Sequence, residues 1–302
     1  MRVIDSCAKC LLDRQIEKAN RSHHPENREE FIRQVKELLV NRKEEDSAPY
    51  LVSLFNELYE KYFGEAANFR EIKKEYNDLV LSMEEDLEAK ILGIDAEGAD
   101  TEDYRQEDEN KAALARAILY ARVGNYIDFG AMNHVDKDTF LKLFGDAVFL
   151  EEDRKTYEQF YEECGQAKYF LLITDNCGEI VLDKLFLRIL KRCFPKLNVK
   201  VLVRGKEVLN DATMEDAVYV GMEQEAKVIP NGTAVAGTIY EMITEEAKQA
   251  LDEADVILAK GQGNYESMAG RGRHVYYAFL CKCELFTTRF GVPPLTGMFV
   301  AE

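Results

Sequence analysis

An aspartate and an asparagine stand side by side, Asp175 and Asn176, just past the apolar run Tyr169-Phe-Leu-Leu-Ile173. A carboxylate and an amide oxygen are hard donors of the kind that hold magnesium, manganese or a related divalent ion. The run has the length and apolar character of a buried strand, and Gly178 breaks the chain before an apolar-periodic stretch that begins at Ile180. The order is therefore strand, polar loop, helix. That order sets Asp175 and Asn176 beyond the carboxyl end of a strand, where open α/β sheets bind their ligands.

Three more segments carry polar groups with a chemical use. Asp211, in Asn210-Asp211-Ala212-Thr213, follows the next strand candidate at 199–203 and is expected to emerge at the same sheet edge as a third metal ligand. Taken alone, Asn210-Asp211 reads as a turn with Thr213 starting a helix. After the strand candidate at 256–259 comes Lys260-Gly261-Gln262-Gly263-Asn264-Tyr265-Glu266. Gly261 and Gly263 let backbone amides approach an anion and Lys260 adds a cation at the strand end, a combination suited to a phosphoryl group. The loop has neither the Gly-Lys-Ser/Thr of a Walker loop nor the three-glycine spacing of a dinucleotide fingerprint. Gly124-Asn125-Tyr126-Ile127-Asp128-Phe129-Gly130 closes a long helical stretch and by itself reads as a helix C-cap followed by a turn.

The elements that must position these residues fall into two regions. From about residue 168 onward, strand candidates at 169–173, 199–203, 226–229, 256–259 and 275–280 alternate with helical stretches at 180–193, 214–220 and 239–251. This alternation predicts an α/β fold, a largely parallel, Rossmann-like sheet sandwiched by helices. Residues 1–150 form an expected α-helical region that contributes to the cleft, and residues 151–302 the metal-binding catalytic domain. In the helical region Phe69, Ile72, Tyr76, Val80, Met83, Leu87 and Ile91 recur at three- and four-residue steps and predict one long helix. Shorter stripes lie at 31–39 and 51–58, and Ser47 ahead of Ala48-Pro49 reads as an N-cap with proline in the first turn. The acidic stretch 95–109 reads as a solvated loop and helix start.

Composition narrows the function. Among 302 residues, 39 Lys and Arg face 56 Asp and Glu, a net charge of −17 that argues against nucleic-acid or acidic-membrane partners. A small phosphorylated substrate remains compatible, because a metal and local backbone dipoles reverse the field at one site. The first residues lack the apolar core of a secretory signal and no run reaches the length of a membrane span, so a cytoplasmic location is expected. Seven cysteines form an odd set, and the close pairs Cys7/Cys10 and Cys281/Cys283 suit reduced thiols, or a metal if the chain ends meet, better than a disulfide scaffold. His23, His24, His134 and His274 show no ligand spacing.

Asp-Asn-Cys-Gly-Glu-Ile-Val-Leu-Asp at 175–183, Gly-Asn-Tyr-Ile-Asp-Phe-Gly at 124–130, Asn-Asp-Ala-Thr at 210–213 and Lys-Gly-Gln-Gly-Asn-Tyr-Glu at 260–266 together resemble the metal-dependent damage-control phosphatase family, long catalogued as a domain of unknown function. Cys7-Ala-Lys-Cys10 is similar to the branch with an N-terminal Cys-x-x-Cys. The resemblance implies an α-helical region on an α/β domain, with one divalent ion (Mn, Co, Ni or Mg) held by Asp175, Asn176 and Asp211. It also implies that Lys260 and Asn264 hold the phosphate, beside the amides that Gly261 and Gly263 open to it, while Asn125 and Asp128 match a motif lining the same cleft. The implied reaction is hydrolysis of small phosphate monoesters, sugar phosphates or phosphopantetheine-type compounds among them. The expected nucleophile is a water activated at the metal, with Asp175 or Asp211 as ligand and proton acceptor and Asp128 as a separate general base; a covalent aspartyl-phosphate is the competing mechanism, although the Asp-x-Asp pair such a route uses is replaced here by Asp175-Asn176-Cys177. Glu179 and Asp183 are expected to orient the ligands or to complement the helix dipole. Two other classes compete: an S-adenosylmethionine-dependent carboxyl methyltransferase, which lacks a Gly-x-Gly after the first strand, and a non-catalytic metabolite-binding protein.

Overall fold

The computed structural model describes residues 1–64, 69–93, 109–126, 142, 144 and 148–302. Six strands build one sheet: β1 (Tyr169–Ile173), β2 (Asn198–Val203), β3 (Lys227–Pro230), β4 (Val256–Lys260), β5 (Tyr276–Leu280) and β6 (Gly297–Ala301). Their order is β3-β2-β1-β4-β5-β6, parallel from β1 through β5, with β6 antiparallel on the edge. The fold is α/β, as the alternation of elements predicts. β6 is the strand the sequence pattern does not announce: Met298-Phe299-Val300 is a short run after Gly297 near the chain end, and it gains its ladder only by lying on β5.

Both faces of the sheet are covered because side chains alternate along each strand. Phe170 and Leu172 of β1 join one buried cluster with Val201, Leu258 and Tyr276, while Leu171 and Ile173 join another with Leu202, Ile257 and Tyr277. The first face is packed by helices from both halves of the chain. α4 (Arg70–Leu81), α5 (Glu84–Leu92) and α6 (Glu109–Gly124) pack with α8 (Glu179–Cys193), and α7 (Glu151–Gln166) lies against β4 and β6. The second face carries α10 (Glu245–Glu253), α11 (Gly261–Met268) and α12 (Glu284–Phe290); the short α9 (Met214–Tyr219) packs near β3. α1 (Asp5–Asn20), α2 (Arg28–Val40) and α3 (Ala48–Phe63) form a third cluster around Phe31, Val35, Leu51 and Phe55, and α3 rests on α11.

Two helical expectations change. The stripe from Phe69 to Ile91 is not one helix but two: α4 ends at Leu81, and the Ser82 hydroxyl donates to the Leu79 carbonyl (2.7 Å), competing with the helical ladder. Tyr76, Val80, Met83, Leu87 and Ile91 nonetheless stay buried on one side across the break. The helix expected at 239–251 starts later, at Glu245, because Thr244 takes the N-cap and accepts from the Ala247 N–H at 3.3 Å. Ser47 does precede α3 with extended backbone, with Pro49 in the first turn, but its hydroxyl makes no capping bond. The acidic segment 95–108 lies outside the described residues. Among the described residues no helix is long and apolar enough to cross a membrane.

Chain direction reverses about β1: β2 and β3 extend the sheet to one side, and β4 and β5 to the other. The loops after β1 and β4 therefore flank a switch point, the crevice in which such sheets bind ligands. Register brings the strand tips level, with Ile173 opposite both Leu202 and Ala259.

Candidate active site

Backbone pairing alone draws the three candidate ligands together. Asn176 and Asp211 form an isolated antiparallel bridge, in which the Ala212 N–H donates to the Asp175 carbonyl (2.7 Å) and the Cys177 N–H to the Asn210 carbonyl (2.8 Å). The loop after β2 is thus stitched to the loop after β1. α4 clamps both from behind: Asn77 accepts from the Gly178 N–H (2.6 Å) and donates to Asp216 (3.0 Å). Asp216 also receives the Lys73 ammonium at 2.6 Å and closes a capping box with Thr213, so Thr213 starts a helix while Asp211, two residues earlier, faces the cleft.

Side chains then fix each donor. Asp175 Oδ2 accepts from the amides of Asn125 and Asn176, both at 2.8 Å. The other amide hydrogen of Asn176 goes to Glu179 Oε2 at 3.1 Å, an oxygen that also accepts from Asn125 at 3.2 Å. With both hydrogens committed, Asn176 Oδ1 is left to the cleft, and among the described residues nothing donates to it. Asp211 Oδ2 accepts from Arg204 Nε at 2.6 Å. Arg204, itself buried, reaches Asp175 Oδ1 at 3.6 Å with Nη2 and donates Nη1 to the Gly237 carbonyl (3.1 Å) and to Asn264 (3.2 Å). One guanidinium therefore spans both carboxylates.

The donor set fits a hard divalent cation. Burial, then the neighbouring charges of Asp211 and Glu179, push the Asp175 carboxyl well above its ordinary range, against the pull of Arg204 and Lys282. Two carboxylates crowded together with a pre-oriented amide oxygen form a pocket of oxygens in which a cation would relieve the repulsion. A cavity of ≈ 330 Å³ opens on Asp175, Asn176 and Asp211, and α1 contributes Cys7, Cys10 and Arg14 to its wall. Gly261 is obligatory at this point. Its φ is +78°, and a Cβ there would stand 1.9 Å from Asp175 Oδ2. Gly263 permits a similar approach, with its added Cβ 2.1 Å from the Ala236 carbonyl oxygen.

Lys260 and Asn264 are placed otherwise than as direct phosphate ligands. Lys260 is fully buried and donates to the Ala121 carbonyl (2.8 Å), Glu179 Oε1 (2.6 Å) and Asp183 Oδ1 (2.7 Å), which uses all three of its ammonium hydrogens. Burial opposes its charge, yet the Asp183 and Glu179 carboxylates hold its pKa above the usual lysine value. Burial likewise lifts the Asp183 carboxyl to about 7 even though the Lys260 ammonium faces it. The ion cluster lies between β4 and α8, behind the cleft. Asn264 is also wholly buried, bracing the Thr174 and Lys260 carbonyls while accepting from Arg204 and Thr238. Both residues therefore support the side chains that meet the cleft. Asp128 and His134 lie outside the described residues.

Cys7, Cys10 and Cys283 do line one cleft, although they come from opposite ends of the chain; Cys281 is buried behind them. Among the described residues no three His, Cys, Asp or Glu side chains form a ligand cluster. Burial raises the Cys177 thiol pKa, which keeps it protonated beside the site. The residues missing from the sequence reading are Arg204, Lys282 and the α4 pair Lys73 and Asn77. Arg204 had a signal, a charged residue directly after the apolar run of β2; Asn77, 101 residues from Gly178, had none.

Fold and site together define an α/β protein whose acid-and-amide centre sits at the switch point of a mostly parallel sheet. The chain belongs to the damage-control phosphatase family: residues 3–295 match the damage-control phosphatase ARMT1-like domain. It is 26% identical to a damage-control phosphatase of Pyrococcus horikoshii over 97% of this chain and 96% of that one. An uncharacterised protein of Methanocaldococcus jannaschii is 28% identical over 97% of this chain and 93% of its own. A damage-control phosphatase of Archaeoglobus fulgidus is 32% identical over 58% of this chain and 61% of the relative. The crystal structure of a DUF89 family protein from Pyrococcus horikoshii superposes with a TM-score of 0.77, covering 99% of both chains at 24% identity, which speaks for the fold.

Proposed function

We propose that this protein is a metal-dependent phosphatase that hydrolyses small phosphate monoesters, sugar phosphates or damaged phospho-metabolites, at a single-ion site formed by Asp175, Asn176 and Asp211. The observation that carries the reading is the commitment of both Asn176 amide hydrogens, which leaves its oxygen beside two crowded carboxylates. The names of the relatives support the phosphatase class. Mn, Co, Ni and Mg all suit such oxygen donors. A divalent ion there supplies Lewis-acid neutralisation of the phosphoryl oxygens.

The chain's own residues do the rest. Asn125 and Glu179 hold Asp175 and Asn176 in one orientation, and Lys260 holds Glu179. Arg204 keeps Asp211 facing the same point. The start of α11, at Gly261, Gln262 and Gly263, brings backbone amides and the positive end of a helix dipole to the cleft, an arrangement that favours an anion. Asp175 and Asp211, both on the cleft wall, can act as proton acceptors for an attacking water.

The test is release of inorganic phosphate from a panel of small monoesters by chelator-treated protein, with each metal added back in turn. Turnover with at least one metal, and none in chelator, is expected. Failure to hydrolyse any ester with any metal defeats the proposal. Methyl transfer from S-adenosylmethionine to a carboxylate would put the methyltransferase in its place.

A further inference from the structure

A carboxyl group without a partner stands in the cleft. Glu266 lines the same cavity as Asp175, Asn176 and Asp211 and is half-buried there. The Met1 amino group binds its backbone carbonyl, and among the described residues no hydrogen bond or ion pair engages its carboxyl. Asp153, Asp216, Glu179 and Asp183, by contrast, are all shielded and all paired, with Arg122, Lys73 and, for the last two, Lys260. Burial lifts the Glu266 carboxyl to about 7, against the pull of the Met1 ammonium and Arg14. Its place on α11 gives the group a direction. Gly263, in the first turn, borders the anion seat, and Glu266 follows one turn later on the same side, about 4.5 Å along the axis. Helical side chains lean toward the N-terminus, so the carboxyl reaches back toward that seat. Arg14 and Cys7, both within range of its charge, set it against the α1 wall of the cleft.

We infer that Glu266 is the general acid of this site, giving its proton to the ester oxygen that leaves with the alcohol. This rests on the phosphatase reading above. An ester whose phosphoryl group lies between the metal ligands and the start of α11 is left the wall from α1 and α3, with Leu11, Pro49 and Val52, for its alcohol portion. That puts the bridging oxygen on the Glu266 side. The oxygen of the attacking water bonds to phosphorus while its proton passes to Asp175 or Asp211. The bond from phosphorus to the alcohol oxygen breaks, and the departing oxygen takes the proton of Glu266. The products are the free alcohol and inorganic phosphate. The Glu266 carboxylate regains a proton from solvent through the open cavity, and the aspartate returns the one it took. A proton delivered as this bond breaks is worth about 10²–10⁴-fold in rate for a poor leaving group such as an alkoxide.

The experiment compares wild type with Glu266→Gln, each loaded with the metal that supports turnover, on monoesters whose alcohols run from poor alkyl leaving groups to p-nitrophenol. The readouts are kcat/KM across the series, its pH profile on the best alkyl ester, and melting temperature. Glutamine keeps the shape but cannot transfer a proton. Glu266→Gln is expected to lose about 100-fold on alkyl esters and less than about threefold on p-nitrophenyl phosphate, whose phenolate leaves without a proton. Its melting temperature is expected to be no lower than that of wild type. An acid must be protonated to act, so wild-type kcat/KM on the alkyl ester falls as pH rises through about 7, and the variant lacks this fall. Charged and titratable groups face Glu266 from both sides: the Met1 ammonium, Cys7, Cys10 and Arg14 on one, Lys282, Cys283 and Glu284 on the other. None is replaced in the variant, so a fall that vanishes belongs to Glu266. A merely structural glutamate would lower the melting temperature and slow all esters alike, with the pH profile unmoved. If the variant keeps alkyl-ester kcat/KM within about threefold of wild type, or loses every ester equally with the same pH profile, the assignment is wrong while the phosphatase reading stands. Where wild type takes alkyl esters alone, the pH profile decides. If wild type hydrolyses no ester, the phosphatase reading falls and takes this inference with it. Should Glu266→Gln fail to fold, Glu266→Met takes its place under the same criteria.

Discussion

An Asp175→Asn variant will lose phosphatase activity by about a thousandfold and yet, freed of metal, melt no lower than wild type. The two halves of this expectation have one cause. Asp175 is buried beside Asp211 and Glu179, and its carboxyl pKa is raised, so the fold disfavours the ionised form. A folded-state pKa above the unfolded one means that the ionised group destabilises the fold at neutral pH, and that this penalty is relieved as pH falls toward the unfolded value. Asparagine removes the charge and nearly keeps the shape. The amides of Asn125 and Asn176 retain Glu179 Oε2 as an acceptor. What disappears is the negative charge a cation needs. Phosphate release and thermal melts in chelator check both halves; full activity in the variant, or a melt lowered by many degrees, would speak against the site as described.

Lys260→Met will damage the fold rather than the chemistry. It removes the cation that, among the described residues, pairs with two buried carboxylates, Glu179 and Asp183, both completely shielded from solvent. Breaking a buried ion cluster by deleting one member costs about 3–5 kcal/mol, a large part of the ~5–15 kcal/mol that holds a typical domain together. For a chain of this size that is a fall in melting temperature on the order of 10 °C. Asp183 already carries an unpartnered buried oxygen, so the double variant Lys260→Met, Asp183→Leu is expected to recover part of the loss. Unfolding curves of the single and double variants decide the matter. An unchanged melt in Lys260→Met would mean that its ammonium is not committed inside the protein, and would return it to the phosphate.

The contrast between Asp211 and Lys260 shows what a sequence yields about a site. Asp175 and Asp211 could be brought together on paper because both follow strands that neighbour each other, and the five parallel strands announce themselves as short apolar runs. Lys260 has the right type and the right loop but the wrong side of the sheet. Its parity was readable: Val256, Leu258 and Lys260 alternate with Ile257 and Ala259, so the lysine shares the face packed by α6 and α8. Lys282 was hidden by its neighbours, since Cys281 and Cys283 draw the eye to thiol chemistry. The break at Ser82 and the late start of α10 at Thr244 are local competitions between side chain and backbone that an apolar stripe does not register. Asn77 is beyond such reading, because its partners Gly178 and Asp216 are 101 and 139 residues away and meet it only once the helices have packed.

The central claim is that Asp175, Asn176 and Asp211 hold the catalytic ion, and anomalous diffraction from crystals grown with manganese tests it most directly. A single strong peak ~2.0–2.6 Å from oxygens of all three residues is the expected result. A protein that hydrolyses monoesters with manganese but shows no peak at this position, or shows it at other side chains, would contradict the claim.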